Sequence, residues 1–202
     1  MRVFRHIHLL KAYLNGFQNI KLVGLVPTMG ALHSGHEALL EACKKDNDIT
    51  VSSIFVNPTQ FNSQEDLKNY PRSEDQDLTL LEKTGCDVVF IPEVSEIYPE
   101  PPSLTFDFGY LESTMEGAHR PGHFNGVALV VSKLFNIIEP DKAYFGQKDY
   151  QQFKIISQLA NDLLFDVDLI AVPTVREPSG LAKSSRSSRL SDKGRRLDSK
   201  IH

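Results

Sequence analysis

No apolar run in this 202-residue sequence approaches the length needed to cross a bilayer, and Met1-Arg2-Val3-Phe4-Arg5-His6 does not lead into the apolar core of a signal peptide. A cytoplasmic protein without a membrane partner is expected. Cysteine is scarce too: Cys43 and Cys86 stand far apart and form no metal-like pair. Each lies in or beside an apolar stretch, which implies buried, reduced thiols. Positive charge is short in the body of the chain. The net charge is −4, yet residues 180–202 hold seven Lys or Arg against two Asp, a net of +5, so the first 179 residues carry −9. An acidic body argues against general nucleic-acid binding, whereas a basic end suits a segment that closes over phosphates. Beyond Arg189 a solvated terminus is expected.

What is present is an alternation of strand-like and helix-like stretches, with 41% hydrophobic and 24% charged residues as in ordinary globular chains. Leu9, Leu10, Tyr13, Leu14 and Phe17 recur at helical spacing between His6 and Phe17. Strands are expected at 20–26, 49–56, 87–91, 143–145 and 165–172, with an alternating edge strand or dimer surface at Leu104 to Phe108. Helices are expected after Ser34, across 65–83 with a break at Tyr70-Pro71-Arg72, over Val127 to Ile138, and from Gly146 to about Asn161. The pattern implies an α/β fold with a doubly wound parallel sheet of Rossmann type.

Chemistry concentrates in Pro27-Thr28-Met29-Gly30-Ala31-Leu32-His33-Ser34-Gly35-His36. A buried strand precedes it and a helix follows, with Ser34 as expected N-cap and Glu37 completing a capping box. His36 then falls in the first turn, where amide N–H groups and the helix dipole favour a phosphate and disfavour imidazolium. A neutral His36 could donate one N–H to a phosphate oxygen. Gly30 and Gly35 would let a nucleotide approach the backbone. One histidine there would suit a plain surface turn; two favour the phosphate site. Asn57 and Gln60, where a proline ends a strand, suit a substrate bearing hydroxyl and carboxylate groups. His119, Arg120 and His123 supply donors for an anion. A glycine turn brings Lys148 to the same sheet edge. Gly180 to Arg186 reads as an anion-binding loop. Asp77, with Glu74 and Asp75, fits a solvated helix start.

His33-Ser34-Gly35-His36 resembles the HxGH signature of a nucleotidyltransferase superfamily that includes class I aminoacyl-tRNA synthetases, and the ten-residue run resembles pantothenate synthetases more narrowly. Similar motifs recur in family order: Asn-Pro-x-Gln-Phe at Asn57, Glu-Gly-x-x-Arg-Pro-Gly-His-Phe at Glu116, Phe-Gly-x-Lys-Asp-Tyr-x-Gln at Phe145. The last, Gly-Leu-Ala-Met-Ser-Ser-Arg-Asn at Gly180, is a counterpart of the KMSKS loop, with Lys183 in place of Met and Ser187 in place of Asn. The resemblance implies ATP-dependent condensation of pantoate with β-alanine through a pantoyl adenylate. It assigns ATP to Met29, Gly30, Ala31, Leu32, His33, Ser34, Gly35, His36, Gly146, Gln147, Lys148, Asp149, Val175, Lys183, Ser184, Ser185 and Arg186. Catalysis falls to His36, His33, Lys148 and Arg186, with His36 as proton donor. Gln60, Gln152, Arg120 and His123 are assigned to pantoate or β-alanine, and Asp77 to Mg²⁺. A homodimer is implied. Family members usually continue into a C-terminal lid domain, so residues 1–178 are expected to form the ATP- and pantoate-binding domain, and 179–202 the basic loop and a truncated start of a missing or reduced lid. The alternatives are another HxGH nucleotidyltransferase or a non-catalytic nucleotide-binding fragment.

Overall fold

β-Branched runs that are apolar on both sides need cover on both faces, and crossover helices supply it. In the computed structural model, which describes residues 1–185, six strands form one sheet: β1 (Arg2–Phe4), β2 (Val23–Thr28), β3 (Ile49–Ile54), β4 (Val88–Phe90), β5 (Lys142–Gly146) and β6 (Asp168–Val172). The order is β1-β4-β3-β2-β5-β6, and every neighbouring pair is parallel. Helices α1 (Ile7–Leu14), α2 (Ser34–Asp46), α3 (Gln64–Lys68), α4 (Glu74–Lys83), α5 (Val94–Ile97), α6 (Tyr110–Ser113), α7 (Met115–His119), α8 (His123–Ile138) and α9 (Tyr150–Asp162) connect them. From β2 the chain winds outward through β3 to β4, then returns through α8 to add β5 and β6 on the other side. The order thus reverses between β2 and β5, and the crevice at the carboxyl ends of those strands is where such sheets take ligands.

Side-chain alternation sorts the strands into two cores. Leu25, Val51, Val88, Phe90, Ala143 and Phe145 face Leu10 and Leu14 of α1, Val127, Val131 and Leu134 of α8, and Ile156 and Leu159 of α9. Val26, Val89 and Tyr144 face Leu39, Leu40 and Cys43 of α2 and Leu81 of α4. Cys43 and Cys86 are free and buried as expected, and burial pushes both thiols up to about 12. Among the described residues no helix is long and apolar enough to cross a membrane.

The doubly wound parallel sheet matches the sequence reading; several boundaries do not. β1 was not expected, because three residues carry too little periodicity. β2 starts at Val23, and Ile20 is 78% exposed beyond a left-handed turn at Asn19. β6 starts at Asp168, after a similar turn at Leu164. Leu104 to Phe108 forms no strand. The Phe106 amide donates to Asn125 Oδ1 at 2.7 Å, so a side chain takes the N–H a ladder would need, and the Phe106 and Phe108 rings stack and pack on the core.

Candidate functional site

The turn after β2 is held from both sides. Thr28 Oγ1 donates to the Ser53 carbonyl at 2.6 Å and accepts from the Gly30 amide at 3.2 Å. Gly30 adopts φ +77°, and a Cβ there would come within 2.9 Å of Asp77 Oδ2. Asp77, buried on α4, accepts from the amides of Ala31 (2.9 Å) and Leu32 (2.7 Å). Its carboxylate braces the turn from a buried position, where a solvated helix start was expected. Among the described residues no group of three His, Cys, Asp or Glu is placed to hold a metal ion.

The cap of α2 sits one residue earlier than expected. His33, not Ser34, is the N-cap: its Nδ1 accepts from the Gly35 amide at 3.1 Å, and its own amide donates to His36 Nδ1 at 3.2 Å. An imidazole Nδ1 stands where an asparagine Oδ1 would, so histidine can play the capping part. Glu37 is turned instead to Lys83, at 3.3 Å. Because each Nδ1 accepts, each ring carries its proton on Nε2. The rings lie 4.2 Å apart. Burial, then His33 and Lys148, lower the pKa of His36 to about 3. Burial, then Lys148 and Lys183, lower that of His33. His36 is therefore neutral at pH 7, with its Nε2–H left to donate a hydrogen bond.

Three further strand ends meet this turn. After β5, residues 147–149 form one 3₁₀ turn, with Lys148 Nζ 3.2 Å from Asp149 Oδ1. Gln152 faces the cleft from α9, while the adjacent Gln151 is buried and ties down the preceding segment: it accepts from the Glu116 amide (2.9 Å) and donates to the carbonyls of Leu111 (2.7 Å) and Thr114 (2.8 Å).

After β3, buried Asn57 donates to Gln60 Oε1 (3.1 Å) and to the Gly126 carbonyl (3.0 Å), and accepts from Tyr98 Oη (3.0 Å). Gln60 Nε2 meets Met29 Sδ at 3.0 Å. The start of α8 is seated on this turn: a Cβ on Gly126 would lie 2.3 Å from the Thr59 carbonyl. Arg120 Nη1 donates to His123 Nε2 at 3.1 Å, because guanidinium is donor only, so His123 Nδ1 must donate to the Gln60 carbonyl at 2.8 Å. Arg120 also pairs with Glu116. His123 thus links elements within the protein as well as bordering the cleft.

After β6, Ser185 Oγ donates to the Ala31 carbonyl at 3.1 Å, bringing its loop against the histidine turn. Arg186, with Ser187 and Arg189, lies outside the described residues.

Together these elements enclose an open cleft of about 320 Å³, in the range of small-molecule sites. It is lined by Met29, His33, Gly35, His36, Gln60, Arg120, His123, Gly146, Lys148, Asp149, Gln152, Val175, Lys183, Ser184 and Ser185, so the topology brings most of the expected residues to one place. Gly30, Ala31, Leu32, Ser34 and Gln147 do not line it; the first three shape the turn through their backbone. The structure adds Tyr70, buried against Phe61 with ring centroids 5.6 Å apart, and Glu116. In the sequence Tyr70 stands out only as part of a helix break, and its placement before Pro71 is its one signal.

A family model described as pantoate-beta-alanine ligase matches residues 2–202. The chain belongs to that family. It is 54% identical over 180 residues to a pantothenate synthetase of Cytophaga hutchinsonii, covering 89% of this chain and 64% of that one. To a pantothenate synthetase of Dehalococcoides mccartyi it is 56% identical over 169 residues, covering 84% and 63%. It therefore spans a little under two thirds of these ligases. Among solved structures, a pantothenate synthetase from Thermus thermophilus superposes with a TM-score of 0.92 at 46% identity, covering 98% of this chain and 71% of that one. A pantoate-beta-alanine ligase from Francisella tularensis, described as complexed with beta-gamma ATP and beta-alanine, superposes with a TM-score of 0.95 at 40% identity, covering 100% and 77%.

Proposed function

We propose that this cleft binds ATP and pantoate and supports ATP-dependent condensation of pantoate with β-alanine. The observation that carries the reading is the pair of capped histidines, each with its proton on Nε2, beside Lys148 and Lys183 at the start of α2. A helix N-terminus, two neutral donors and two cations form a seat for a polyphosphate. Gln60 and Gln152, across the cleft, offer amides to a hydroxy acid.

A pantoate carboxylate oxygen attacks the α-phosphorus of ATP. The bond to the β-phosphate oxygen breaks, and pyrophosphate leaves with the electron pair. The amine of β-alanine then attacks the acyl carbon of pantoyl adenylate, the bond to the AMP oxygen breaks, the nitrogen loses a proton, and pantothenate and AMP depart. The protein supplies no nucleophile. Its side chains orient the reactants, and the histidine Nε2–H groups and lysines stabilise charge that develops on phosphate oxygens. Mg²⁺ would arrive on those oxygens with its own waters. Arg186 keeps the phosphate-facing part its motif implies, and residues 179–202 that of a segment closing over the nucleotide. A homodimer remains the expected assembly, and buried reduced thiols suit the cytoplasm.

The test is AMP formation from ATP and pantoate, with and without β-alanine. AMP and an amide only when all three are present is the expected result. A dinucleotide-like product, or no AMP at all, overturns the reading.

A further inference from the structure

We propose that Glu177 is a positioning residue that holds Lys183 as a reserve cation for the triphosphate, so that polyphosphate binding at this cleft proceeds by exchange of one ion pair for another. The inference rests on the nucleotide reading above and deepens it.

The loop after β6 folds back on itself. Arg176 and Ala182 form an antiparallel bridge, the Glu177 amide donates to the Leu181 carbonyl at 2.8 Å, and the Lys183 amide to the Val175 carbonyl at 3.0 Å. Glu177 and Lys183 both flank the bridged pair, so their side chains leave from the same face, diagonal to one another and within reach for long side chains. Lys183 Nζ lies 3.1 Å from Glu177 Oε1.

The stem of Lys183 crosses the start of α2: its Cβ lies 3.8 Å from where a Cβ on Gly35 would stand. Its charge is felt at His33, whose pKa it helps to lower. Lys148, whose charge also acts on His33, is held in the same manner by Asp149. Both cleft lysines among the described residues thus carry a neighbouring carboxylate as counter-ion. The Lys183–Glu177 pair is 35% and 22% exposed. Such a pair is held weakly, whereas a polyphosphate at a helix N-terminus offers several oxygens and more charge. An incoming triphosphate would take Lys183 and leave Glu177 to water; a single phosphate would compete less well.

The experiment is calorimetric titration of the 202-residue chain with ATP and with inorganic tripolyphosphate at low salt. Methionine keeps the unbranched length of lysine without its charge, so Lys183→Met is expected to weaken both ligands about tenfold, the size of one charge-assisted hydrogen bond. Glu177→Gln is expected to tighten tripolyphosphate binding about threefold, since the competing charge is gone while the side chain's shape remains. The double variant should match Lys183→Met. The sign separates this role from a merely structural one, in which Glu177→Gln would weaken binding. Tripolyphosphate affinity unchanged in Lys183→Met, or weakened in Glu177→Gln, overturns the inference alone. A wild-type chain that binds neither ligand overturns the nucleotide reading with it.

Discussion

The two ends of the cleft are built on opposite plans. At the α2 end, backbone amides occupy the inner nitrogen of His33 and of His36, which leaves Nε2–H as the outward donor on each ring. At the α8 end, side chains occupy one another: Asn57 holds Gln60, Gln60 meets Met29, and His123 lies between Arg120 and the Gln60 carbonyl. The first arrangement is preorganised for a ligand, because neither ring has to give up a hydrogen bond to meet it. The second is preorganised for itself. A hydroxy acid that takes the Gln60 amide has to draw it away from Asn57 or Met29, so substrate affinity there depends on how firmly the turn beneath is held.

The largest effect should come from breaking the α2 end alone. His36→Asn keeps an acceptor where Nδ1 stood and so keeps the cap, but it removes the outward N–H. Pantoate-dependent exchange of pyrophosphate into ATP should fall by about 10²- to 10³-fold, the loss seen when one charge-stabilising donor is removed. The thermal midpoint should stay close to that of the parent, because the cap is preserved. Normal exchange in this variant would remove His36 from the reaction.

At the α8 end, structure and affinity should move together. In Gly126→Ala the added methyl meets the Thr59 carbonyl at 2.3 Å, a backbone contact that no rotamer relieves. Overpacking of this kind costs about 1–3 kcal/mol, to be read from urea unfolding. The KM for pantoate should rise while that for ATP stays level. Equal rises in both would show that the two ends are one mechanical unit and erase the contrast.

Much of this contrast was legible beforehand, and what was not has a physical reason. The β-branched and apolar runs of β2, β3 and β5 announce buried parallel strands, and two histidines around Gly35 announce an anion seat. Which residue caps α2 depends on one ring torsion at His33, and Ser34 is the better cap by type. Asp77 is joined to Ala31 and Leu32 from over forty positions away, so no local pattern reveals it. Gln151 and Gln152 differ by one step around α9, and only the docking of that helix decides which is buried and which meets the cleft. Phe106 lost its strand to Asn125, a contact that requires the fold to exist first.

The smallest effect should appear in the pH dependence of stability, and it belongs to the α2 end. In the unfolded chain both histidines titrate near the ordinary value of about 6.5. In the folded chain His36 does so at about 3, because burial first, then His33 and Lys148, oppose its charge. Above 6.5 both states are neutral at this site, and its contribution is complete. As pH falls from 6.5 towards 3 the unfolded state takes up a proton that the native state refuses, so stability declines across that window. The urea midpoint should therefore be lower at pH 5 than at pH 7, and His36→Asn should flatten the decline while leaving the part due to His33. If His36→Asn left the profile as steep as the parent's, the charge sensitivity would not lie in this ring, and the account of the α2 end as a pair of neutral, outward-facing donors would fail.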